Sequence, residues 1–488
     1  MGIDVSKIRV ELEEQRQNLP TEISDTVEDV LQKLNQVQQG GILEIREQMD
    51  AAYRARTLTR LAISAVEVDG DKLLQIANDS LTNVETLGID PSLIQNLAKM
   101  IFAGQKIKPG EAVIIAGAKR NIEVLEEIAR LCLANGIDFI IDIASDETNQ
   151  ILINNASDEG LQALGEERSR HYAPAKTLLA AHSNPYLEFE PERNQIYQSA
   201  QKELSSRISD EDLRFSFTVL PTEKDAEIDG IPYQKYLRLF LESCDQPWAA
   251  IEKAQAKLIE KLNQGKSLKI TNKDGTNLDF EIDGFTFINS TTEENIPGSE
   301  VFSAPGKTKV NGTLKTKGAF KYKTFPIIKN ITLEFKDGKV VDFDASEGKD
   351  TLEMILSTDD GAKFVGEIAF GTNPHLRRHL VNALLVEKIG GSFHLALGSS
   401  HQRSEHKGQA VNVDNGNRSK IHWDITTLLK NGEVMLDGQT IQKNGIWVDE
   451  SGAPDPDLAV LNYGWDAIMP KENRPPWWKE RYPRGYED

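Results

Sequence analysis

The chain has 488 residues, 39% hydrophobic and 27% charged, a balance that excludes both a disordered chain and a membrane-embedded one. Its 56 basic and 76 acidic side chains leave a net charge of −20 with no basic stripe to offset it, which argues against nucleic acid as a partner. The length is more than one core supports and predicts two or three domains.

The opening Met-Gly-Ile-Asp-Val-Ser-Lys lacks the basic and apolar regions of a secretory signal, and no apolar run is long enough to cross a bilayer. No membrane partner is expected. The two cysteines, Cys132 and Cys244, lie far apart beside apolar residues and in no metal-type spacing. They predict buried thiols in a reducing, cytoplasmic setting.

Residues 1–94 predict a helical region. In "TVEDVLQKLNQVQQG" and "GILEIREQMDAAYRARTLTRLAISAVEV" apolar residues recur at three- and four-residue steps, broken at Gly40-Gly41. Residues 95–265 predict an α/β domain. Ala112 to Ala116 is a short apolar run, "NIEVLEEIARLCLANG" a helix ending at Gly136, and "DFIIDI" a second strand. That β-α-β order implies a parallel sheet. The loop "AGAKRN" lacks the glycine pattern of a dinucleotide turn, so no dinucleotide site is predicted. "FSFTVLP" extends the sheet, and "QPWAAIEKAQAKLIEKLNQG" is an amphipathic helix closing the region at Gly265. Residues 266–488 turn β-rich, an α+β domain. Asp274-Gly275 and Asp337-Gly338 mark hairpins, "NGEVMLDGQTIQKNGIWV" predicts another strand pair, and the end is a Pro- and Trp-rich tail.

Six of the eight histidines fall between His375 and His422. In "SKIHWDI" the alternation predicts a strand with His422 and Asp424 on one face and Ile421, Trp423 and Ile425 on the other. Carboxylates stand in glycine- and proline-rich contexts nearby: Glu300 in "NIPGSEVFSAPG", Glu367 in "FVGEIAFGTNP", and Glu387 with His394 in "VEKIGGSFHLALG". Imidazole and carboxylate donors together suit zinc, cobalt or manganese, and a carboxylate can bridge two such ions in a hydrolytic site.

These blocks, with the later "LDGQTIQKNGIW", occur in one order across residues 295–447. They closely resemble the aminopeptidase T / aminopeptidase S family of two-metal aminopeptidases. The resemblance is strong from about residue 290 and weaker from about residue 95, where "IKPGEAVIIAG" looks like the family's first strand. It implies two divalent ions held by Glu300, Glu367, His394, His422 and Asp424, with Glu367 as the bridge. Glu387 stands near a further family ligand at a different spacing from His394. Some members carry a tyrosine seven residues after the ligand histidine. Here that position is His401, which could take the tyrosine's place, bind metal or face solvent. His406 is expected to be a loop residue. The resemblance further implies attack of a metal-bridged water on the first peptide bond of peptides with a free N-terminus, and a homodimer. Glu300 and Glu387 are the candidates for general base. An inactive peptide-binding member and a metallo-amidohydrolase acting on non-peptide substrates are the competing readings.

Overall fold

The computed structural model describes residues 3–41, 44–184, 186–187, 189–209 and 212–473. The Pro- and Trp-rich tail from residue 474 onward lies outside them. The chain divides into two compact units, Met1–Leu220 and Pro221–Asp488.

The first unit carries a four-stranded parallel sheet in the order Phe139–Ala144, Val113–Ala118, Thr177–Ser183, Arg214–Leu220. Every residue of Val113–Ala118 is buried, as expected of a central parallel strand covered on both faces. The predicted strands at 112–116, in "DFIIDI" and in "FSFTVLP" are all present. The central Thr177–Ser183, "TLLAAHS", has no counterpart among the expectations, because its alanines and polar ends lack the β-branched signature.

The break predicted at Gly40-Gly41 separates helices Ser24–Gln38 and Ile45–Ser64. The second of these is buried on nearly every side. Its polar residues therefore need partners inside the unit. Asp50 accepts from the Ser80 hydroxyl at 2.8 Å and the Leu81 amide at 2.6 Å. Arg60 donates to Asn149 at 2.8 Å. Arg56 pairs with Asp142 at 3.1 Å and Glu167 at 3.0 Å, and Asp142 also receives Arg168 at 3.1 Å and the Tyr172 hydroxyl at 2.7 Å. Helix and sheet are thus joined by charge as well as by apolar packing.

The second unit contains an eight-stranded antiparallel sheet and a five-stranded one. The hairpins predicted at Asp274-Gly275 and Asp337-Gly338 connect Ser267–Asn272 to Asn277–Glu281 and Thr332–Lys336 to Lys339–Asp344. The pair expected in "NGEVMLDGQTIQKNGIWV" is Gly432–Leu436 with Gln439–Lys443. The five-stranded sheet runs His422–Leu428, Ser392–Gly398, Val365–Gly371, Glu300–Ser303, Ile288–Ser290, each antiparallel to its neighbour. One face of this sheet is apolar. There Phe370 lies 5.7 Å from Phe393 and 5.4 Å from Trp447 between ring centroids, and Phe393 lies 5.5 Å from Phe280. Burying these rings anchors the sheet and leaves its opposite face for chemistry.

The Asp142 carboxyl is buried, which alone would raise its proton affinity, yet Arg56 and Arg168 hold it well below the ordinary aspartate range. A depressed folded value contributes stability that is complete above the ordinary aspartate value and lost as pH falls through the folded one. Asp142→Asn should therefore destabilise the first unit by about 3–5 kcal/mol at neutral pH, because it leaves Arg56 buried with part of its countercharge gone. The deficit should shrink toward acid pH. Urea titrations of both proteins at several pH values check both statements.

Candidate metal centre

Register alone gathers the predicted residues. His394 and Ala396 alternate on one strand, Ala396 lies opposite both Asp424 and Glu367, Gly398 lies opposite His422, and Gly371 lies opposite Glu300. Directly paired residues share a face, and so do residues two apart. Glu300, Glu367, His394, His422 and Asp424 therefore project from one face of four adjacent strands. The interleaved positions are Ala369, Gly371, Ala396 and Gly398, which leave room above the sheet.

Two backbone irregularities aim the side chains. A bulge between Val365 and Glu367, with Gly366 as the extra residue, re-directs Glu367. A methyl on Gly366 would run into the carbonyl oxygens of Gly398 and Ser399. Ser299, immediately before Glu300, has φ = 92°, a left-handed conformation rare for a residue other than glycine. Its amide donates to Ser290 at 2.9 Å, its carbonyl accepts from Thr372 at 2.8 Å, and its hydroxyl meets that of Thr372 at 2.9 Å. Gln255, fully buried on helix Trp248–Leu262, donates to the same Thr372 hydroxyl at 2.9 Å and to the Glu300 carbonyl at 3.3 Å. The strain is held by this network.

Donor atoms converge in two groups that share one carboxylate: Glu300, Glu367 and His394 in the first, Glu367, His401 and His422 in the second. Oε1 of Glu367 lies 3.4 Å from His394 Nε2, while its Oε2 lies 2.6 Å from His401 Nε2 and 3.6 Å from His422 Nε2. His394 Nε2 is also 3.4 Å from Glu300 Oε2 and 3.8 Å from Asp424 Oδ1, and that Asp424 oxygen is 3.8 Å from His422 Nε2. His401 lies against the cluster: its ring touches Glu367 and stands 5.4 Å from that of His422. His406, expected in a loop, sits apart from the cluster in the two-residue strand Glu405–His406, which pairs with Gln409–Ala410, and its ring lies 3.2 Å from Asn289.

This donor set fits a divalent cation. Donors bonded at about 2.0–2.2 Å to one tetrahedral ion stand about 3.4 Å from each other. The contacts around His394 have that spacing, and both nitrogens of its wholly buried ring are without a hydrogen bond. His422 Nδ1 donates to the Ser399 carbonyl at 2.8 Å, which fixes the tautomer and turns the Nε2 lone pair toward the carboxylates. Charge agrees. Burial alone would lower the His422 ring, yet Asp424 and Glu367 push it up to about 9, and His394 is raised against burial by Glu367, Asp424 and Glu300. Burial would likewise raise Glu367, yet the surrounding imidazoles hold it well below the carboxylate range. The carboxylates thus draw positive charge onto the histidines, and a bound cation would displace those protons.

Glu387 is in neither group. Its Oε2 is held at 2.8 Å by Lys388, whose Nζ also reaches Glu300 Oε1 at 2.5 Å. Burial raises Glu387 to about 7 despite that ammonium. Lys388 is completely buried and was no candidate in the sequence, although a Glu-Lys pair in the largely apolar "NALLVEKIGG" is the signal that marks it. Beside the cluster lies a cavity of about 260 Å³ whose lining includes Phe320, Tyr322, Trp423, Glu387 and Asp424. A larger groove of about 620 Å³ lies on the eight-stranded sheet, lined by the ion pairs Lys269–Asp279 and Lys309–Glu281, and shares no residue with the cluster.

The family model described as thermophilic metalloprotease (M29) matches residues 91–452. The chain belongs to that family. It is 34% identical over 172 residues to aminopeptidase 2 of Geobacillus stearothermophilus, an alignment covering 32% of this chain and 40% of that one. It is 31% identical over 169 residues to aminopeptidase AmpS of Bacillus subtilis (strain 168), covering 31% and 40%. The chain thus spans about 40% of the length of these curated relatives. Among solved structures, wild-type AmpT from Thermus thermophilus superposes with a TM-score of 0.58 at 21% identity, covering 73% of this chain and 99% of that one. The fold of the M29 chain is accordingly that mixed α/β architecture.

The bulge gives a direct test of the geometry. Gly366→Ala should fold but misdirect Glu367, lowering metal affinity by about tenfold to a hundredfold, the usual cost of disturbing the support of a ligand. Equilibrium dialysis against zinc with elemental analysis checks it.

Proposed function

We propose that this M29 chain is a metal-dependent aminopeptidase, removing N-terminal residues from peptides with a free N-terminus by hydrolysis of the first peptide bond. The observation that carries the reading is Glu367, whose two oxygens face two separate sets of histidine nitrogens beside a cavity flanked by carboxylates. Glu300, Glu367 and His394 would hold one divalent ion of the zinc, cobalt or manganese class. Glu367, His401 and His422 would hold the other, with Asp424 reaching both. Bound there, such ions supply Lewis-acid polarisation of a carbonyl and acidify a water molecule.

The remaining roles fall to the chain's own groups. Asp424 and Glu387 line the cavity and present negative charge where a substrate's α-ammonium would enter. Phe320, Tyr322 and Trp423 give the same cavity an apolar wall for the first side chain. Glu300 is engaged in a donor group, so Glu387 is the better candidate for general base. Both cysteines are buried free thiols, in keeping with a reducing compartment such as the cytoplasm.

Chelation should abolish hydrolysis of amino-acid amides and short peptides, and zinc, cobalt or manganese should restore it. Glu367→Gln should not be restored, since a neutral amide is a poor bridge between two cations. Peptides blocked at the N-terminus should resist cleavage; cleavage of blocked and free peptides alike would favour an amidohydrolase of different specificity. A metal-loaded chain that binds peptides without cleaving any would favour the inactive member.

His401 is assigned here as a donor rather than as a stand-in for the tyrosine. His401→Ala should reduce the ions bound per chain, as elemental analysis measures. Unchanged metal content with lost turnover would return His401 to the role of hydrogen-bond donor to the substrate carbonyl.

A further inference from the structure

The feature that the proposed reaction leaves unused is Lys388. Its side chain is completely buried, one residue after Glu387, and its ammonium lies 2.5 Å from Glu300 Oε1 and 2.8 Å from Glu387 Oε2. The other oxygen of Glu300 is the one that faces His394, at 3.4 Å. Glu300 is therefore divided, with one oxygen on a permanent cation and the other in a donor group. The second donor group, Glu367 with His401 and His422, has no residue bonded to Lys388.

We propose that Lys388 is a resident counter-cation that makes the two ion positions unequal. This rests on the metal reading above. An ammonium bonded to Glu300 withdraws electron density from that carboxylate and repels any cation on its opposite oxygen, in surroundings where water screens little. The Glu300–Glu367–His394 position therefore takes its ion more weakly than the Glu367–His401–His422 position. Lys388 also compensates Glu300 and Glu387 while the weak position is unfilled, so the face folds before that ion arrives. Lys388 touches no reacting atom. It is a positioning residue that acts through Glu300.

The test is zinc binding to the full-length chain, stripped of metal and titrated against a competing chelator of known affinity, with bound zinc counted by elemental analysis. The wild type should load in two steps at least tenfold apart. Lys388→Arg, which keeps the charge, should retain the separation. Lys388→Met should tighten the weaker step by tenfold or more, a gain that structural damage would not produce. It should also lower the melting temperature of the metal-free protein, and zinc should recover more of that loss than it adds to the wild type. If Lys388→Met does not fold, Glu387→Gln provides the opposite change. With the ammonium left wholly to Glu300, the weaker step should weaken further and the tighter one stay put. Two equal steps in the wild type, or Lys388→Met and Glu387→Gln titrations that match it, would overturn the proposal while leaving the metal centre standing. A wild-type chain that takes up no zinc, cobalt or manganese would remove the metal reading itself, and this proposal with it.

Discussion

Carboxylates buried side by side repel one another strongly wherever water cannot screen them, and each is costly to desolvate alone. Glu300, Glu367, Glu387 and Asp424 meet on or beside one face of one sheet, and that face is stable only with positive charge among them. The chain supplies part of it as the Lys388 ammonium and part as imidazoles whose proton affinity the carboxylates raise. The remainder is what a divalent cation offers. The aromatic core beneath the sheet, the bulge at Gly366 and the strained Ser299 all serve to hold this charge pattern in register.

The arrangement follows from strand geometry rather than from any local motif. Antiparallel pairing puts directly opposed residues on the same face, so four strands contribute donors that would be unrelated in sequence. The small residues Ala369, Gly371, Ala396 and Gly398 matter as much as the donors, because larger side chains there would fill the space above the sheet. On the reverse face the same strands present Phe370, Phe393, Leu395 and Ile425 to the core. Period-two alternation divides one sheet between chemistry and stability.

Much of this was legible beforehand where a pattern is local. The alternation in "SKIHWDI" placed His422 and Asp424 together, and the Asp-Gly turns at Asp274-Gly275 and Asp337-Gly338 marked two hairpins because such turns demand left-handed backbone. What escaped depended on contacts distant in sequence. Thr177–Ser183 is a strand because it lies between two others, not because of its own residues. His401 lies in an irregular segment, and only the folded chain brings its ring to Glu367. Lys388 was not singled out, since its neighbours in "NALLVEKIGG" mark it as unusual but do not say that both of its partners would be buried with it. Gln255 supports Glu300 from a helix whose apolar stripe alone was visible.

The donors span Glu300 to Asp424, and all but His401 stand on four strands that pair only when the sheet closes. No short stretch of the nascent chain can hold an ion as a zinc finger does. Capture must therefore wait until long-range pairing is nearly complete, a slow class of folding event. On the metal reading proposed above, the ion is then chosen by a chain that is already folded.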